Sequence, residues 1–435
     1  MPSPLARHNQ DVLSPLVDRV LELAARPDEE GKKALWAQLN GLEPTHKIPV
    51  CLTYGSIRDA DWEFVFGGGH LQCQSDPEET LIARGVVGYR SLTLSQYIEF
   101  FLKCVIWMAE NVPDDHVVWP AVPIPAAYTD HHHHWGVDLR WQTGGHSGSA
   151  AIVPPFPDRV DWVKLRRART DVDAQATRTR LEKARELVQG RLMTYPQYST
   201  LGASPFEWMV RMRGLEQVYY DVYEAADLLH SLMDFVTLTI IADHERREKQ
   251  GWLNFPPDPS GNYQMETTFR MVATHLPAGY HSRAPRLSDE WPYVSAQSGF
   301  GLGPSMYQEF VHQYNCRIAV LYEPGRVYYH GCENLDDKVG IIATLPNIGR
   351  HHVSPWSNVS VAAEAYQGSV VLEVHSHPAN ITLDASREEF REEMGQLVAQ
   401  ADGHPMCLCV TDIHDIGGDP ASLIRWAEAA QEVAA

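Results

Sequence analysis

No apolar run in the sequence approaches the roughly 20 residues that span a bilayer, and residues 1–7 lack the basic-then-apolar order of a secretory signal. A soluble cytoplasmic protein is therefore expected. Positive charge is scarce: 36 Lys and Arg stand against 56 Asp and Glu, for a formal charge of −20. That balance excludes a general phosphate-neutralising surface for nucleic acid or anionic membrane and leaves a small molecule as the expected partner. The seven cysteines (Cys51, Cys73, Cys104, Cys316, Cys332, Cys407, Cys409) are odd in number and scattered. They do not form the dense even framework of a secreted disulfide scaffold, which again points to a reducing compartment. There is also no glycine-rich phosphate loop, no Ser-His-Asp arrangement and no paired CxxC.

What is present is enough chain, 435 residues with 44% apolar, for one large barrel or two ordinary domains. Apolar residues at helical spacing (Leu13, Leu16, Val17, Val20, Leu21) and the charged run from Asp28 to Lys33 predict an N-terminal helical extension over residues 1–45. From residue 46 to 435 the pattern changes to strands followed by helices. A strand is expected at Ile48 to Thr53, a helix at Leu94 to Glu110, and a strand at Val117 to Pro120. Residues 128–157 are too rich in His, Gly and Pro for a long regular element and read as an excursion over the site.

A strand at Arg191 to Tyr195 then leads to a helix from Pro205, with Ser204 placed to cap it, and the residues from Gln250 to Asp289 read as irregular. The alternation is most regular at the end. Strands at Arg326 to Tyr329, His351 to Ser354, Val370 to Val374 and Met406 to Thr411 alternate with helices at Leu335 to Leu345, Val359 to Tyr366, Arg387 to Gln400 and Pro420 to Val433. Successive parallel β/α units favour an α/β barrel, the (β/α)8 or TIM type, over a sandwich.

Polar residues recur where these strands end: Tyr329 to Glu333, Ser354 to Trp356, His375 to Pro378, and Asp412 to His414. Parallel barrels assemble their chemistry at the C-terminal ends of strands, so the pattern predicts an enzyme site. His330-x-Cys332 carries most weight, because alternate residues at a strand end point the same way and can offer nitrogen and sulfur to one Zn2+.

Taken together, Tyr329 to Glu333, Leu345-Pro346-Asn347 leading to Val353-Ser354-Pro355-Trp356, Pro378-Ala379, Asp412 to His414, and Gly418-Asp419-Pro420 leading to Arg425-Trp426 resemble the uroporphyrinogen-decarboxylase-like superfamily. Arg213 to Glu216, Asp221 to Tyr223 and the segment around His230 are similar to its middle part. The resemblance implies a (β/α)8 barrel with long loop insertions, and a family containing porphyrinogen decarboxylases, corrinoid-linked zinc methyltransferases and cobalamin-independent methionine synthases. A homodimer is what the family suggests. The chain departs from its nearest branch in carrying His375 and His377 where that branch more often has Lys and Asn. It also has no cysteine after Cys409 to match the methyltransferases' third zinc ligand, and Ile413 and His414 fall near that position.

The leading expectation is a zinc methyltransferase-like enzyme that activates a thiol or other heteroatom, with a corrinoid protein as a possible partner. His330 and Cys332 are the expected metal ligands, with His375 and His377 completing a mixed nitrogen and sulfur set. Asp412 and His414 are expected as an acid/base pair and Glu333 as a supporting carboxylate. Arg211 and Arg213, placed at a helix start, and Trp291, Trp356 and His134 are the expected substrate-binding residues. A metal-independent decarboxylase is the second expectation, and a non-catalytic barrel that binds a small molecule or a corrinoid protein is the third.

Overall fold

The computed structural model describes residues 4–53, 71–75, 92–130, 135–137, 139–143, 150–254, 262–267, 270–275, 285–413, 416 and 419–435. Its centre is parallel sheet, with strands numbered β1 (Val50–Leu52), β2 (Ala121–Pro125), β3 (Met193–Gln197), β4 (Gly202–Ala203), β5 (Tyr293–Ser295), β6 (Val327–His330), β7 (Ile348–Val353), β8 (Val371–His375) and β9 (Met406–Val410). Among the described residues these make a seven-stranded sheet in the order β1-β9-β8-β7-β6-β5-β4 and a separate pair β2-β3, all parallel. Each strand lies beside its predecessor in the chain from β4 to β9, as in a sheet wound by successive β/α units. The order is compatible with a barrel. At the outer edge of β1, side chains take the place of a neighbouring strand: Val50 N donates to Asp115 Oδ2 (2.8 Å) and Leu52 N to Asp114 Oδ2 (3.0 Å).

Local chemistry explains most of the helices. Ser386 accepts from Glu389 N while the Glu389 carboxylate reaches back, a capping box that starts Arg387–Ala401. Thr93 and Gln96 do the same for Leu94–Asn111, and Asp173 caps Ala174–Leu187. The helices cover one face of the sheet. Val353, Leu372, Val374, Leu408 and Val410 pack there with Phe390, Met394, Leu423 and Trp426, in the same cluster as Leu13, Val17, Val20 and Leu23 of the helix Pro4–Ala24. A second cluster joins Val294, Val327 and Tyr329 to Phe206, Met209, Leu232 and Phe310. The following helix, Pro27–Asn40, sends Trp36 to a small plug with Trp119, Ala121 and Val371 beneath the opposite face.

Several boundaries differ from the sequence-based expectation. The strand placed at Val117 to Pro120 forms at Ala121–Pro125, because its backbone pairs with β3 and the preceding residues pack in the plug. The helix expected over Leu335 to Leu345 is limited to Val339–Ile342, preceded by a turn in which Leu335 N donates to Ser357 Oγ (3.0 Å). Ser204 does not cap its helix; its hydroxyl pairs with Ser295 Oγ at 2.7 Å. Within the excursion, Arg140–Thr143 and Ala150–Val153 form an antiparallel pair, and Asn262–Thr267 and Arg270–His275 form another in the segment read as irregular.

Candidate functional site

Strand register places alternate residues of neighbouring strands on the same face, so the residues turned away from the helices can be followed across the sheet. Tyr293 pairs with Tyr328, Tyr328 with Arg350, His352 with Glu373, Glu373 with Cys407, and His375 with Cys409. This inner face is polar and buried. Parallel strands buried on both faces are ordinarily near-continuous apolar runs, which makes three imidazoles, a carboxylate, a guanidinium and two thiols an arrangement that calls for a chemical reason.

The three histidines stand at the C-terminal ends of consecutive strands. The His330 and His352 rings are 4.2 Å apart and those of His352 and His375 4.1 Å. Beyond the end of β6, Cys332 Sγ lies 3.1 Å from His330 Nε2, accepts from Gln297 Nε2 at 3.1 Å, and is 3.7 Å from Asp412 Oδ2. Gly331 makes that turn possible: a Cβ there would come within 2.6 Å of Leu335 Cδ1 and 3.0 Å of Glu333 Oε2. Asp412 itself has a left-handed backbone, φ 58°, of the kind that Asp tolerates better than most residues and that concentrates at functional sites.

Tyr328 organises the imidazoles from below. Its hydroxyl donates to Glu373 Oε1 (2.8 Å) and lies 3.0 Å from His330 Nδ1 and 3.4 Å from His352 Nδ1. A hydroxyl whose proton is committed to a carboxylate can only accept from these nitrogens. Both neutral rings then carry hydrogen on Nδ1 and present an Nε2 lone pair, the tautomer a metal needs. His375 Nε2 is 3.0 Å from the same Glu373 oxygen, and Arg350 Nε is 3.5 Å from the other.

Ligand atoms of His330, Cys332 and His352 lie within 4.8 Å of one another, as do those of His352, Glu373 and His375, and those of Glu373, Cys407 and Cys409. The first set, nitrogen-sulfur-nitrogen with Asp412 beside it, has the donor chemistry that zinc accepts. The structure thus brings together His330, Cys332, Asp412 and His375 of the residues expected from sequence, and adds His352, Glu373, Tyr328 and Gln297.

Other expected residues fall elsewhere. His377 is outside the donor groups: its Nδ1 accepts from Ala379 N (3.3 Å) and its ring meets the exposed Trp356 edge-on at 4.6 Å. Arg211 and Arg213 occupy the last turn of Pro205–Arg213, not a helix start. Arg213 is buried with its guanidinium on Asp221 (2.6 Å) and the carbonyls of Phe156 and Pro157 (both 2.8 Å), while Arg211 stacks on Trp208. Trp291 precedes β5 and packs with Tyr328 at the N-terminal side of the sheet, opposite the strand ends. Burial pushes the Glu333 carboxyl up to about 7, so a proton can reside on it near neutrality. His134 and His414 lie outside the described residues.

The chain is similar in structure to a methyltransferase from Methanosarcina mazei, with a TM-score of 0.52 and 14% sequence identity, over 92% of this chain and 97% of that one. At that identity the likeness shows a shared fold. No protein-family model matches the sequence and no curated protein matches it. Among the described residues no helix is long and apolar enough to cross a membrane.

Proposed function

We propose that the sheet closes as a (β/α)8 barrel and that the chain is a zinc methyltransferase-like enzyme acting on a small thiol or related heteroatom, with a corrinoid protein as methyl donor. The observation that carries this reading is the convergence of His330 Nε2 and Cys332 Sγ, 3.1 Å apart, with His352 and Asp412 beside them. The donor set fits Zn2+, which when bound keeps a coordinated substrate thiol as thiolate near neutral pH. The similarity in fold to a methyltransferase supports the same reading. A reducing, cytoplasmic setting accords with seven cysteines that form no disulfide.

The chain's own residues then have definite tasks. Tyr328, held by Glu373, fixes the orientation and tautomer of His330 and His352. Gln297 donates its amide hydrogen to Cys332 Sγ and so favours the thiolate over the thiol. Trp356 and His377 form an aromatic edge above the strand ends, where an incoming substrate is met. A decarboxylase would need cations for substrate carboxylates, and of the two candidates for that role Arg213 is already occupied by Asp221 and Arg211 stacks on Trp208.

The test is methyl transfer from methylcobalamin to a panel of small thiols, with zinc measured in the same preparations. Wild type is expected to bind zinc and transfer the methyl group. His330→Ala and Cys332→Ser should lose the zinc bound there and bring transfer down by about 100-fold or more, the upper range seen when even supporting residues of a metal site are removed. Full activity in metal-free protein, or thiol binding without turnover, overturns the proposal.

A further inference from the structure

We propose a second divalent-cation site, deeper in the inner face, in which Glu373, Cys407 and Cys409 hold zinc as a structural ion. The proposal does not rest on the methyl-transfer reading. Cys407 and Cys409 are alternate residues of β9 with their sulfurs 3.6 Å apart, and Glu373 is the register partner of Cys407 on β8. One atom from each of the three lies within 4.8 Å of the others. Two sulfurs and a carboxylate oxygen suit zinc and do not suit magnesium or calcium, which take oxygen donors. His375 Nε2 lies 3.0 Å from Glu373 Oε1 and so holds that carboxylate from the same strand.

Burial separates this site from the first. Glu373, Cys407 and Cys409 are each no more than 3% exposed, whereas Cys332 is partly open at the strand ends. Structural zinc sites are closed by protein ligands and catalytic ones keep a position open. The two proposed sites follow that division, and they share no ligand. They adjoin one another: the Tyr328 hydroxyl bridges His330 and Glu373, His352 Nδ1 lies 3.7 Å from Glu373 Oε1, and the His352 and His375 rings stack at 4.1 Å.

A doubly charged ion in such surroundings needs its charge balanced, and the inner face has the means. Arg350, 1% exposed, lies 3.5 Å from Glu373 Oε2 and 3.7 Å from Cys407 Sγ. The Arg350 guanidinium faces the Glu373 carboxylate, so that pair is balanced before any ion enters. Thiols bind zinc as thiolates, so an ion entering there would release two thiol protons to solvent and find its two positive charges matched by the two sulfurs.

The full chain, produced with zinc and freed of loosely held ions, is expected to contain two equivalents by elemental analysis. His330→Ala and Cys332→Ser should each retain one, and Cys407→Ala combined with Cys409→Ala should retain the other. Because the double variant can fail to fold, cobalt-substituted Cys332→Ser protein provides a second measurement. With Cys332 gone, thiolate-to-cobalt charge-transfer absorption in the near ultraviolet reports the remaining cysteines, and its loss when Cys407→Ser is added assigns it to the Cys407–Cys409 pair rather than to Cys51, the register partner of Cys409. Zinc content unaffected by the Cys407→Ala and Cys409→Ala pair in folded protein, or a cobalt form of Cys332→Ser without that absorption, overturns the proposal and identifies Cys407 and Cys409 as ordinary core thiols. If the outer site is the one that fails, His330→Ala and Cys332→Ser leave the zinc content unchanged while the inner double variant removes it.

Discussion

Along β7, β8 and β9, the side chains that face the helices are His351, Val353, Leu372, Val374, Met406, Leu408 and Val410, apolar but for His351 and none more than 4% exposed. Those on the other side of the same strands include Arg350, His352, Glu373, His375, Cys407 and Cys409, none more than 3% exposed, with Val371 an apolar exception in the plug below them. Depth is therefore equal, and energetics are not. Burying an aliphatic side chain stabilises the fold by about 1.5–3 kcal/mol, whereas a buried charge costs several unless a partner and hydrogen bonds offset it. The outward face, with its helices, supplies stability, and the inward face spends part of it on preorganised polar groups. A parallel sheet has both faces covered, so its strands can carry this division in alternate residues without exposing either set.

The largest effect expected from disturbing that division in a single residue is at the Arg350–Glu373 pair. Arg350→Met leaves the Glu373 carboxylate buried without its counter-charge and should cost about 3–5 kcal/mol. Leu408→Ala, on the opposite face, should cost about 2–5 kcal/mol through lost burial and a cavity. The two differ in how they are rescued. Adding Glu373→Leu to Arg350→Met removes the orphaned charge and should recover most of the loss in urea unfolding of metal-free protein. A neutral Arg350→Met would break the comparison, because the polar face would then carry no cost.

Next in size is the contrast between His351 and His352, neighbours in sequence that point to opposite faces. His351 Nδ1 pairs with the Tyr366 hydroxyl at 3.1 Å, its ring stacks on Tyr329, and burial holds its pKa down to about 3. It is a neutral core residue. His351→Phe should lower stability by about 1–3 kcal/mol, the cost of leaving the Tyr366 hydroxyl unsatisfied, with zinc content unchanged. His352→Phe should release zinc from the outer site. If His351→Phe released it too, face would not be what separates the two roles.

That pair also shows how far the sequence could be read. Strands at β1, β6, β8 and β9 and the helices Leu94–Asn111, Val359–Tyr366, Arg387–Ala401 and Ala421–Ala434 follow from short apolar runs, helical spacing and caps, because those signals are local. His330 and Cys332 were legible because the strand end and the alternate spacing lie within a few residues. His352 and Glu373 escape such a reading because they lie inside their strands, where position alone reads as core. Their signal was present: Tyr328-x-His330, Arg350-x-His352, Glu373-x-His375 and Cys407-x-Cys409 repeat a polar alternation in four strands that should otherwise be continuously apolar. Arg213 illustrates the opposite failure. Its partner Asp221 sits one helix away, and nothing local distinguishes a guanidinium awaiting a substrate from one already paired.

The smallest effect concerns a buried imidazole with no part in the inner face. His244, in the helix Ala226–Gln250, is 3% exposed, and its Nδ1 lies 2.8 Å from the Tyr322 hydroxyl. Burial, with a smaller contribution from the charge of Arg247, lowers its pKa to about 3. An unfolded chain takes up that proton near pH 6.5, and the folded chain does so only near 3. The stability His244 contributes is therefore complete above about pH 6.5 and declines as pH falls towards 3, by up to roughly tenfold in the folding equilibrium per pH unit. His244→Phe should flatten the fall in urea midpoint between about pH 6 and 4 by close to one proton's worth of slope. The measurement needs metal-free protein, since acid also releases zinc from thiolate and imidazole donors. An unchanged slope would mean that His244 takes no part in acid sensitivity, leaving His351, the other buried imidazole held near 3, and the inner-face residues as its source.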